Sequence, residues 1–107
     1  MKATAIVRTG LVIAFAVAVP TQAAETTGQD VFNAYCVQCH GDSNEAAGTL
    51  QLGRTRGQDK ALLTKRTDLK PEYIEYVVRH GLKSMPPFVP SELTDAKLKA
   101  LTEFLAK

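Results

Sequence analysis

Cys36-Val37-Gln38-Cys39-His40 is the stretch on which the reading of this 107-residue chain turns: two thiols three positions apart, with an imidazole directly after the second. A cysteine pair at this spacing serves disulfide exchange, metal binding or covalent haem attachment. Disulfide exchange of the thioredoxin kind needs a strand before the pair and a βαβ setting, which the sequence does not supply. A closed tetrahedral zinc site takes four ligands, and beyond this stretch only His80 remains. Thiols so spaced reach the two vinyl groups of a c-type haem, and the adjacent histidine comes beneath the iron. Cys36 and Cys39 are therefore expected to attach one haem c covalently, with His40 as an axial ligand.

Apart from the initiating residue, Met85 is the one methionine in the chain. It opens Met85-Pro86-Pro87-Phe88-Val89-Pro90, which cannot be helical, because each proline fixes its own backbone, lacks an amide donor and pushes its predecessor toward extended geometry. A ligand on a loop stiffened beforehand loses little further entropy on binding. Met85 is thus the expected second axial ligand. Otherwise it fills a core gap, and water or His80 completes the site or the iron stays five-coordinate. His80, just before Gly81, suits the negative end of a helix and reads as a surface cap.

Working outward, Lys2 and Arg8 precede an unbroken apolar run at 11–19, followed by small residues at cleavage-site spacing, the pattern of a secretory signal peptide. A spanning helix needs about 20 apolar residues, so no stable membrane anchor is expected. Residues 1–23 are read as the leader, cleaved after Ala23 or Ala24, and 24–107 as one domain exported to the periplasm. Lys2 and Arg8 account for the whole formal charge of +2, so the remaining chain has no basic excess and nucleic-acid binding is excluded. Both cysteines fall in one short stretch, which rules out a disulfide framework. About 84 residues lie near the size at which a core alone is marginal and a bound cofactor becomes a valuable staple.

Along this domain, Thr27-Gly28-Gln29-Asp30 resembles a capping-box start, and a helix is expected over 28–37. Residues 41–57, with four glycines and no sustained apolar period, read as a loop along one edge of the cofactor. A short helix is expected over 59–66. Pro71 at a first helical position, Glu72 beside it and a terminating Gly81 bound another helix. Thr94 caps the last one, with Leu93 and Leu98 as a hydrophobic staple. No alternating run long enough for a strand is present, so the fold class is all-α. Arg54, Arg56, Lys60, Lys65, Arg66 and Lys70 concentrate positive charge mid-chain, as a solvated face, propionate contacts or a steering field for an acidic partner.

These residues resemble the class I cytochromes c. Gly28, Phe32, Cys36, Cys39 and His40 stand at that family's spacing for its first helix and haem motif, and Leu101, Phe104 and Leu105 match its last helix. The resemblance implies short helices wrapped around one haem, and first and last helices that cross where Gly28 makes room for Phe104. It also implies a backbone carbonyl that orients the histidine ring, although Gly48-Thr49-Leu50 lacks the family's usual Gly-Pro proline. From Pro71 through Phe88 the chain is more particularly similar to the small cytochrome subunit of p-cresol methylhydroxylase and related flavocytochromes. The function so implied is transfer of single electrons through a low-spin haem ligated by His40 and Met85, by a carrier rather than an enzyme. Electrons would come from a periplasmic dehydrogenase with a flavin or quinone cofactor, the chain being its subunit or soluble acceptor. They would leave to a terminal oxidase or another redox protein. The alternative is a haem enzyme or gas sensor with an open distal position.

Overall fold

The computed structural model describes residues 10–20 and 24–107. Of the expected leader, 1–9 and 21–23, including one expected cleavage point, lie outside the described residues. Residues 10–20 have no regular secondary structure and expose their apolar side chains. No helix among the described residues is long and apolar enough to cross a membrane.

Five α-helices build the domain: α1 Gly28–Tyr35, α2 Val37–His40, α3 Ala47–Arg56, α4 Pro71–His80 and α5 Asp95–Leu105. There is no strand among the described residues, only an isolated bridge between Leu82 and Met85. The all-α expectation holds.

The expected capping box opens α1. The Asp30 amide donates to the Thr27 hydroxyl at 3.2 Å, and the Thr27 amide donates to the Asp30 carboxylate at 3.0 Å, which closes two donors that a helix start leaves open. The Thr27 hydroxyl also donates to that carboxylate at 2.6 Å, and this bond first, then the one from the Thr27 amide, holds the Asp30 carboxyl below its ordinary range. Thr94 caps α5 by accepting from the Lys97 amide at 3.3 Å, and the staple residues Leu93 and Leu98 are both buried. Pro71 occupies the first turn of α4, and Gly81 ends that helix at φ 74°, a left-handed backbone that glycine adopts without steric cost.

α1 and α5 cross at contact. A Cβ built on Gly28 would lie 2.1 Å from the Ala100 carbonyl oxygen and 2.4 Å from Phe104 Cβ, so glycine lets two backbones approach as the family resemblance implied. Beside the crossing the Phe32 and Phe104 rings meet at 6.0 Å, tilted by 53°. Val31, Phe32, Leu98, Leu101 and Leu105 join Ile74, Val78, Leu69 and Leu93 in one core. Each such side chain contributes about 1.5–3 kcal/mol relative to exposure.

Three expectations are corrected. The region 41–57 is not a loop throughout, because α3 occupies most of it. Its buried face is Thr49 and Gly53 rather than large apolar residues, so no apolar stripe marks it. Ala47, Leu50, Gln51, Leu52, Arg54 and Arg56 are good helix formers, and the two arginines suit the negative end. The helix expected over 59–66 resolves into two separate 3₁₀ turns, Gln58–Lys60 and Leu63–Lys65. Finally, α1 ends at Tyr35, before the expected 37, because Cys36 (φ −117°, ψ −32°) breaks the chain between α1 and α2.

Candidate haem site

The break at Cys36 places the two thiols and the imidazole on one helical turn. The Cys36 amide closes α1 by donating to the Phe32 carbonyl at 2.9 Å. Its own carbonyl opens α2 by accepting from the amides of Cys39 at 3.1 Å and His40 at 2.8 Å. Positions i, i+3 and i+4 of such a turn share a side, so Cys36, Cys39 and His40 present their side chains together. Both thiols are free, Cys36 half-buried and Cys39 exposed. Burial, with a smaller contribution from neighbouring Cys39, pushes the Cys36 thiol up to about 11. Disulfide exchange needs the opposite, a thiol poised to ionise near neutral pH.

His40 is clasped from one side. A Cβ on Gly48, in the first turn of α3, would lie 2.7 Å from His40 Cε1 and 2.9 Å from Nδ1, so the backbone of α3 lies directly against the ring. His40 Nδ1 is buried and has no hydrogen-bond partner among the described residues. The carbonyl bond implied by the family resemblance is therefore not formed here. With the Nδ1 side turned to α3, Nε2 is the nitrogen left for a metal. Burial lowers the imidazole pKa, favouring the neutral ring that coordinates metals.

The missing proline has a physical counterpart. Thr49 precedes the first i to i−4 bond of α3, which runs from the Leu50 amide to the Ala46 carbonyl, so a proline here would break no helical bond. Instead, the Thr49 hydroxyl donates to the buried Gly41 carbonyl at 2.8 Å and ties α3 to the residue after His40. Thr49→Val keeps the shape but leaves that carbonyl without a donor. It is expected to lower stability by about 1–3 kcal/mol in urea unfolding, while Thr49→Ser retains most of it.

Met85 is half-buried against the same core that Cys36 touches. It closes a tight turn in which its amide donates to the Leu82 carbonyl at 3.0 Å and its carbonyl accepts from the Leu82 amide at 3.1 Å. Lys83, inside the turn, has φ 53°, a conformation that costs a non-glycine residue. His80 is exposed, stacked on Tyr76 at 4.3 Å, with Nδ1 2.8 Å from the Tyr76 carbonyl. Its contacts are thus within α4, as a surface residue's would be.

Of the mid-chain basic group, Arg66 and Lys60 close on one acid. Arg66 makes two bonds of 2.8 Å to Asp68, and Lys60 one of 3.3 Å. These contacts, Arg66 first, hold the Asp68 carboxyl well below the usual range. Arg54, Arg56, Lys65 and Lys70 form no ion pair among the described residues.

The donors and the surroundings fit a covalent haem. Besides the thiols and imidazole on one turn, Val37 in α2, Leu50 in α3 and Leu82 beside Met85 are 37 %, 39 % and 45 % exposed, apolar surface that a flat apolar cofactor would cover.

The family model described as cytochrome c oxidase, cbb3-type, subunit III matches residues 23–105. The chain belongs to this family. It is a monohaem c-type cytochrome of class I, carries covalently bound haem c and acts in electron transfer as a carrier rather than an enzyme. Redox partners are implied by that role. No curated protein and no solved structure matches the cytochrome. Within it, the grouping of the two thiols and the imidazole on one turn was legible from sequence. The clasp by Gly48 and the Thr49 bond were not, although a glycine eight residues after the histidine is a signal for the first.

Proposed function

We propose that this cytochrome transfers single electrons through a low-spin haem held by thioethers to Cys36 and Cys39, with His40 and Met85 as axial ligands. Bound haem c supplies an iron that changes oxidation state by one electron, and methionine opposite histidine raises its potential. The chain's residues supply the rest. The turn at 36–40 fixes both thiols and the ring, Gly48 sets the ring's edge against α3, and the Leu82–Met85 turn fixes the backbone that carries the thioether.

With both axial positions filled, substrate has no place on the metal, and the residues around Met85 become a contact surface. Pro86, Pro87 and Val89 are exposed there beside Lys83, suiting the small, transient contacts of redox partners. The donor in this reading is a periplasmic dehydrogenase with a flavin or quinone cofactor, of which the cytochrome is a subunit like that of the p-cresol methylhydroxylase type or a soluble acceptor. The acceptor is a terminal oxidase or another redox protein. Export follows from reading 1–23 as a cleaved leader.

The single observation that carries this is the turn at 36–40, whose backbone bonds put both thiols and the imidazole at positions i, i+3 and i+4 of one helical turn. Optical spectra of the oxidised and reduced holoprotein, alongside Met85→Ala, test it. A low-spin thioether-linked haem is expected, with a weak methionine-to-iron band in the oxidised form that Met85→Ala abolishes. A high-spin wild-type spectrum, or one unmoved by the substitution, would overturn the Met85 assignment and favour a haem enzyme or gas sensor.

A further inference from the structure

The loop that carries Met85 is bracketed at both ends by α4. At its start the Gly81 amide donates to the Val77 carbonyl at 2.7 Å, and at its far end the Phe88 amide donates to the Val78 carbonyl at 2.8 Å. The Phe88 carbonyl is held from the same helix. Arg79 Nη1 donates to it at 2.9 Å and to the Leu93 carbonyl at 2.8 Å, while Nη2 donates to Asp95 at 2.5 Å. The rings of Phe88 and of Tyr35, the residue before Cys36, meet in a T at 6.3 Å and 88°. One guanidinium thus joins α4, the Met85 loop and the start of α5.

We propose that Arg79 is a positioning residue for Met85, an inference that rests on the reading of Met85 as iron ligand. Between Met85 and Phe88 stand only Pro86 and Pro87, whose rings fix φ. The segment is a stiff arm, so the pin at Phe88 and the Leu82–Met85 turn together decide where Met85 stands. The pin requires arginine, because a planar fork of several donors meets two carbonyls and a carboxylate at once, whereas an ammonium is a single point. Arg79 is largely covered, its side chain 19 % exposed, whereas Asp95 is 87 % exposed. The two carbonyl bonds therefore set the loop, and the exposed ion pair adds little.

The test is the affinity of the oxidised holoprotein for imidazole, which binds iron only when methionine has left, so that apparent affinity reports the fraction of open loop. Arg79→Ala is expected to raise imidazole affinity about ten- to a hundredfold, the scale of lost charge-assisted hydrogen bonds. Arg79→Lys is expected to fall between it and wild type, and Asp95→Asn to stay within about twofold of wild type. If Arg79→Ala fails to accumulate with haem, Arg79→Lys is read by the same measure.

A lowered urea midpoint with wild-type imidazole affinity in both arginine variants would make Arg79 merely structural and overturn the proposal. Failure of the underlying reading looks different. The wild type would then lack the methionine-to-iron band, and Met85→Ala would bind imidazole no more tightly than it does, which overturns both.

Discussion

Gly28→Ala is expected to cost about 4 kcal/mol or more of stability, the range reserved for substitutions the structure cannot absorb. A single methyl is the smallest possible addition, and elsewhere in a helix alanine would be favoured over glycine. Here two of the three nearest atoms to the new Cβ, at 2.1 and 2.9 Å, belong to the Ala100 backbone, and a backbone inside α5 cannot rotate away as a side chain can. The helices must separate, exposing the Val31, Phe32 and Leu101 contacts between them. Urea unfolding of the holoprotein followed by helical circular dichroism would show this as a lowered midpoint with little change in slope. Phe104→Gly, which removes the Cβ that alanine would keep, is not expected to restore Gly28→Ala, since the carbonyl collision remains. Full rescue by that second change would show the side chain, not the backbone, to be the obstacle.

The second large effect is expected from Cys36→Ser combined with Cys39→Ser, which leaves haem without a covalent bond to the chain. Acid extraction should then remove haem from the double variant but not from the wild type, with each single variant still holding it by one bond. Stability should follow, because a group that binds only the folded state stabilises it. The core consists of nine buried apolar residues, close to the limit of what a domain this small sustains alone. The stripped variant is expected to lose most of its helical signal at a temperature where the wild type is folded. Cys39→Ser isolates the covalent effect better, since Cys39 is exposed whereas Cys36 touches the core. A double variant that keeps haem through acid extraction would refute attachment at these positions.

What could be read from the sequence was local. Thr27 with Asp30, Pro71 with Gly81, and Thr94 with Leu93 and Leu98 are cap and stop signals whose partners lie within a few residues, and each marks its helix. The helix α3 escaped because its buried face is Thr49 and Gly53, so neither apolar periodicity nor an intact run of helix formers announces it. Its glycines look like turn residues but serve close approach, Gly48 to the His40 ring and Gly53 to the Gln58 amide. The haem motif was legible because its spacing is itself the chemistry. Arg79 was not, because its acceptors lie 9, 14 and 16 residues away, and nothing in a local window distinguishes it from a solvated helix-end arginine.

The turn at Leu82–Met85 uses both backbone polar groups of Met85, and Pro86 bars rotation after it. Only side-chain torsions remain free at that position. In the proposed ligation by His40 and Met85, the backbone that carries the thioether has little room to rearrange when the molecule gains an electron. That backbone would then contribute little to the reorganisation energy, which leaves the approach of a partner's redox centre as the larger influence on the rate of exchange. Speed in such a carrier is a matter of approach.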